Sequence, residues 1–125
     1  MVYDAGLADR MREVLAGEPA VTEKRMFGGL AFLVAGHMAV CATNGGLLVR
    51  IDPVQGDALL TDPRASRMVM QGRELSGWLL VDLDASAADE ELERWMSYGV
   101  DYVRSLPPKE PGGRPAARST RRGSR

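Results

Sequence analysis

His37 and Cys41 are the only histidine and the only cysteine in the 125-residue chain, and they stand four positions apart. An imidazole and a thiol are the parts of a nucleophile–base pair or of a metal site. On a strand, a four-residue spacing puts both side chains on one face but separates them by about 13 Å. That distance exceeds the reach of a proton transfer and the coordination sphere of a single metal ion. The pair therefore reads as a turn-flanking histidine and a buried core thiol. No catalytic residue, cofactor or metal ligand is expected.

Lys24 and Arg25 lead into Phe27, Gly28 and Gly29. Two cations beside exposed backbone N–H groups could hold a small anion or contact a partner. The segment lacks the GxGxxG spacing and the GK[ST] of phosphate-binding loops, so its simpler role is a bend or bulge where a strand enters a sheet. Asp82, Asp84, Asp89, Glu90 and Glu91 follow no calcium-loop spacing. They gather around the start of a helix, where the backbone dipole favours negative charge.

The charge is unevenly distributed. Residues 1–106 hold 10 Lys and Arg against 16 Asp and Glu, and residues 107–125 hold 6 against 1. Arg114, Arg118, Arg121, Arg122 and Arg125 could contact nucleic-acid phosphates without sequence choice. No aromatic residues are interleaved with them to stack on bases. With Gly, Pro and Ser and no core former, residues 109–125 are expected to be a disordered tail on a folded domain of residues 1–108.

The elements that must position these residues centre on Lys24–Ile51. Its apolar runs are about six residues long, the length of strands. They are cut by Gly36 and by Asn44-Gly45-Gly46, which suit tight hairpin turns. Three antiparallel strands follow. Leu30, Phe32 and Val34 oppose Ala31, Leu33 and Ala35; Met38, Val40 and Ala42 oppose Ala39, Cys41 and Thr43; Leu47, Val49 and Ile51 oppose Leu48 and Arg50. A sheet apolar on both faces must be covered on both, by helices or by a second subunit. A homodimer is one expectation from this pattern.

Asp4–Gly17 carries Leu7, Met11, Val14 and Leu15 on one stripe of a helix capped by Asp4. Asp52-Pro53 opens a short helix that Asp62-Pro63 closes. Ser66–Met70 is a weak strand, Gln71–Gly77 a loop, and Gly77–Asp82 a strand. Ser86–Leu106 is the strongest helix, with Ser86 and Asp89 forming a capping box. The order indicates an α+β domain with a mainly antiparallel five-stranded sheet. The chain has no apolar run long enough to span a membrane, its charged and periodic N-terminus is not expected to be a signal peptide, and one cysteine cannot form an internal disulfide. A cytoplasmic protein is expected.

Arg25-Met26-Phe27-Gly28-Gly29 followed by LAFLVAGHMAV resembles the N-terminal domain of the TfoX/Sxy family. GLLVRID at Gly46–Asp52, GWLLVD at Gly77–Asp82 and YVRSLPPK at Tyr102–Lys109 extend the resemblance over roughly residues 5–109. The resemblance implies an α–β(3)–α–β(2)–α domain similar to secretion-chaperone-like folds. It also implies a regulatory association, since longer members regulate competence for DNA uptake and carry a second, helical domain. It brings no catalytic residues. The expected function is that of a non-enzymatic module acting through contacts with a protein partner, as a homodimer. The alternatives are nucleic-acid association through the tail, and an enzyme or small-anion binder at Lys24–Gly29.

Overall fold

A computed structural model describes residues 3–26 and 28–107. Helix α1 (Ala5–Val14) begins at Asp4, whose side chain accepts a hydrogen bond from the Leu7 N–H. Strands β1 (Val21–Met26), β2 (Gly29–Val34), β3 (His37–Thr43) and β4 (Gly46–Arg50) follow. A 3-10 turn over Pro53–Gln55 runs into the one-turn α2 (Gly56–Leu59), with Asp52 capping as expected. Then come β5 (Ala65–Met70), β6 (Arg73–Val81) and α3 (Asp89–Arg104). The strands form one antiparallel sheet in the order β1-β2-β3-β4-β6-β5.

The α+β class and the antiparallel sheet hold, but the sheet has six strands rather than five. The additional strand is β1, with residues Thr22 to Arg25 all exposed. An edge strand this solvated shows no apolar alternation, and its charged residues blunt the open edge against further pairing. The expected loop Gln71–Gly77 is mostly strand. Gln71 and Gly72 alone make the turn, at φ of 54° and 77°, with Met70 opposite Arg73. Two successive residues in the left-handed region form the turn whose twist matches a hairpin.

The last helix starts at Asp89, later than expected, and Ser86 is not its cap. Residue Ala88 takes that position without a side-chain bond, while the Ser86 amide and hydroxyl both donate to Asp84 Oδ1. Asp89, Glu90 and Glu91 occupy the first turn as expected. Leu92, Trp95, Met96, Gly99, Val100 and Val103 form the buried stripe of α3. They pack with Leu7, Ala8, Met11 and Leu15 of the α1 region onto Leu30, Phe32, Val34, Val40, Ala42, Leu47, Val49, Leu79 and Val81. Burying each large apolar side chain stabilises the fold by about 1.5–3 kcal/mol, so this helix-covered face is the principal core.

Strand β3 departs from simple alternation. Leu33 opposes Met38 and Phe32 opposes Val40, leaving Ala39 as an extra residue, a β-bulge. Ala39 and Val40 therefore both join the helix-covered core, and Met38 moves to the other face with Cys41. The expected set of Met38, Val40 and Ala42 on one face is corrected accordingly.

Candidate interaction surface

The bulge decides the fate of the two residues with reactive side chains. His37 opposes Val34, which faces the helices, whereas Cys41 opposes Ala31 on the other face. They are thus on opposite faces rather than on one, because the extra residue between them inverts the parity. The His37 imidazole Nε2 lies 2.5 Å from the Pro107 carbonyl oxygen, at the exit of α3. Cys41 is fully buried, and burial pushes its thiol pKa up to about 12. A nucleophilic cysteine needs the reverse shift.

Lys24 and Arg25 are likewise separated. Lys24 opposes Ala31 and so sits on the face away from the helices, while Arg25 opposes Leu30 on the helix side. The two cations do not converge on one point. Met26 and Gly29 are paired across the β1–β2 turn, in which Gly28 is exposed with a φ of 70°. Gly29 is buried, and a β-carbon on it would lie 2.0 Å from the Ala42 carbonyl oxygen. That position thus requires glycine for steric reasons. Phe27 lies outside the described residues, as do Arg114, Arg118, Arg121, Arg122 and Arg125 and the whole expected tail.

The acidic cluster at the start of α3 is divided among separate partners. Asp89 pairs with Arg10 at 2.5 Å, and Arg10 also donates to the Ala85 and Ala87 carbonyls. Glu91 accepts from Trp95 Nε1 at 3.0 Å and from Arg94 at 2.8 Å. These bonds, the indole first, hold the Glu91 carboxyl below its usual range. Ser86 does the same for Asp84. No group of three or more metal-ligating side chains is present among the described residues.

The second sheet face is where residues gather without a helix. Ala31, Met38, Cys41 and Leu48 are buried at its centre, surrounded by partly exposed Met26, Leu33, Met68 and Trp78. Every one of these eight residues belongs to a strand. Lys24 lies toward one side of the face. Toward the other, the Arg50 guanidinium lies between the two faces, 5.7 Å from the centre of a Trp78 ring and 5.5 Å from that of Tyr102 of α3. Cation–π attraction of this kind holds an arginine flat on apolar surface. The strand expected at Ser66–Met70 is present as β5, and a register shift between Arg67 and Met68, which has no sequence signal, precedes Met68 on this face.

No described helix is long and apolar enough to cross a membrane. A search of curated proteins gives no match. The crystal structure of Deinococcus radiodurans protein DR2400, with a DUF419 family domain, is similar in fold, with a TM-score of 0.61 at 20% identity over 90% of this chain and 95% of that one. Residues 13–102 match the TfoX N-terminal domain, which spans most of the described fold, and the chain belongs to that family.

Proposed function

We propose that this protein is a non-catalytic regulatory module of the cytoplasm that works through protein contacts, pairing with a second copy through the sheet face that bears Leu33, Met68 and Trp78. The observation that carries this reading is the second apolar cluster, built entirely from strands and ringed by partly exposed large side chains. Membership of the TfoX N-terminal domain family supports an interaction role in general terms. The buried, proton-holding Cys41 supports a non-catalytic one.

Sedimentation equilibrium tests the pairing. The full chain should sediment as a dimer at micromolar concentration. A Leu33→Glu substitution should give a monomer with an unchanged circular dichroism spectrum, because it places a charge in a dehydrated contact. A wild-type monomer would remove the homodimer from the reading.

A second reading rests on the excess of six cations over one acid in residues 107–125. These residues would bind nucleic-acid phosphates non-specifically, so affinity for duplex DNA should fall steeply with salt. Replacing Arg114, Arg118, Arg121, Arg122 and Arg125 by Gln should abolish it. Undiminished binding by that variant would end this second reading.

A further inference from the structure

The fold segregates its charge. Helix α3 carries Asp89, Glu90, Glu91, Glu93 and Asp101 against Arg94 and Arg104, while the second sheet face carries Lys24, and Arg50 lies between Trp78 and Tyr102. Between α1 and α3 lies an open groove of about 310 Å³. Half-buried Val14, with the edges of Leu15 and Val100, supplies apolar surface, and Glu18, Glu93 and Asp101 supply carboxylates. Arg104 is already held by Glu18, and the Asp101 charge acts on the same guanidinium. Glu93 makes no ion pair among the described residues. The groove is therefore acidic, with an apolar base.

We propose that this groove is the docking site of the chain's own Arg-rich segment, residues 114–125. Three observations select that occupant. The segment is the most cationic stretch of the sequence. Arginine stems bury along apolar surface while their guanidiniums reach carboxylates at the margin, which is what this groove offers. The geometry of the chain permits it. Arg104 borders the groove, and Pro107 follows three residues later. At 1.5 Å per helical residue, Glu93 lies about 20 Å back along the axis from Pro107. The seven residues from Pro107 to Arg114 can extend to about 25 Å. Pro111-Gly112-Gly113, just before Arg114, has the composition of a chain reversal. The cluster on the second sheet face contains no carboxylate, and Lys24 beside it is a like charge.

On the second reading above, in which these arginines bind nucleic-acid phosphates, the contact is autoinhibitory. Arginines held by α3 are withheld from phosphates, and a basic partner that displaces them from the groove releases them. The segment's affinity for polyanions is then set by the acidity of α3 as well as by its own charge.

Paramagnetic relaxation tests this on the full chain. Ser124→Cys supplies the single reactive thiol for a nitroxide, because Cys41 is buried. Backbone amide signals of Leu15, Ser97 and Val100 should be lost, and the loss should be unchanged on dilution. The signals should return in an otherwise identical E93Q/D101N chain. They should also return near 1 M salt, where the Debye length falls to about 3 Å. Intact groove signals would overturn the proposal, and so would losses centred on Leu33 and Leu48. Losses seen only when isotope-labelled chains are mixed with separate nitroxide-bearing chains would assign the groove to a second copy instead. Losses that survive both salt and E93Q/D101N would refute the charge-based recognition.

Discussion

Gly99 of α3 packs against the bulge of β3 so closely that a β-carbon on it would lie 2.4 Å from the Ala39 carbonyl oxygen. The bulge brings the Ala39 backbone up to the helix, and the absence of a side chain lets the helix settle onto it. Gly99→Ala should therefore destabilise the protein. In a surface helix the change would gain about 1 kcal/mol from propensity, but overpacking against rigid backbone costs about 1–3 kcal/mol. The expected result is a lower urea midpoint with an unchanged slope. Gly17 is the control, since nothing lies within 4 Å of a β-carbon there. Gly17→Ala should leave the midpoint unchanged or raise it.

The Lys24–Gly29 segment should divide by mutation into structural and surface positions. Gly29→Ala forces a β-carbon into the Ala42 carbonyl and should prevent folding or give insoluble protein. Lys24→Ala and Arg25→Ala change exposed side chains of an edge strand, and surface changes of this kind fall within about 0.5 kcal/mol. Thermal melts of the three variants separate these outcomes. A soluble, fully stable Gly29→Ala would refute the steric account of this glycine.

Much of this arrangement is legible in the sequence. Asp4 announces the start of α1, and the glycine-cut apolar runs announce β2 to β4. The alternation of Leu47, Leu48 and Val49 assigns faces correctly on both sides. The misreadings have specific causes. Thr22 to Arg25 show no period because an edge strand is wet on both faces. The bulge at Ala39 leaves no trace because Ala39 and Val40 are apolar whichever way they point, and that one residue separates His37 from Cys41. Ser86 satisfies a capping pattern, yet Asp84 competes for its amide and hydroxyl. The surface formed by Leu33, Met68 and Trp78 comes from three strands distant in sequence, so no local pattern could show it.

Cys41 should report on unfolding. Its sulfur is fully buried and lies 3.8 Å from the Met26 carbonyl oxygen and 3.7 Å from that of Ala42. Alkylation at neutral pH requires both exposure and a thiolate, and the fold denies both. The modification rate in urea should track the unfolded fraction measured by circular dichroism. Rapid alkylation of the native protein would show that the second sheet face opens locally.

Two carboxylates that meet Arg94 of α3 should make stability depend on acid pH. The Asp62 carboxyl is held below its usual range, first by the Arg64 backbone N–H and then by Arg94, while Glu91 is held there by Trp95 and Arg94. A carboxyl whose pKa is lower in the folded state favours folding when it is ionised. Its contribution is complete above the unfolded value, about 4 for these side chains, and is lost as pH falls through the folded value. The urea midpoint should be level from pH 7 to about 5 and decline below about 4. Glu91→Gln retains an acceptor for the Trp95 indole but carries no charge, so its midpoint should start lower at pH 7 and fall less on acidification. If the wild-type and variant curves ran parallel down to pH 3, the ionised Glu91 would contribute nothing beyond its hydrogen bond. The acid dependence would then rest with Asp62 and its Arg94 partner.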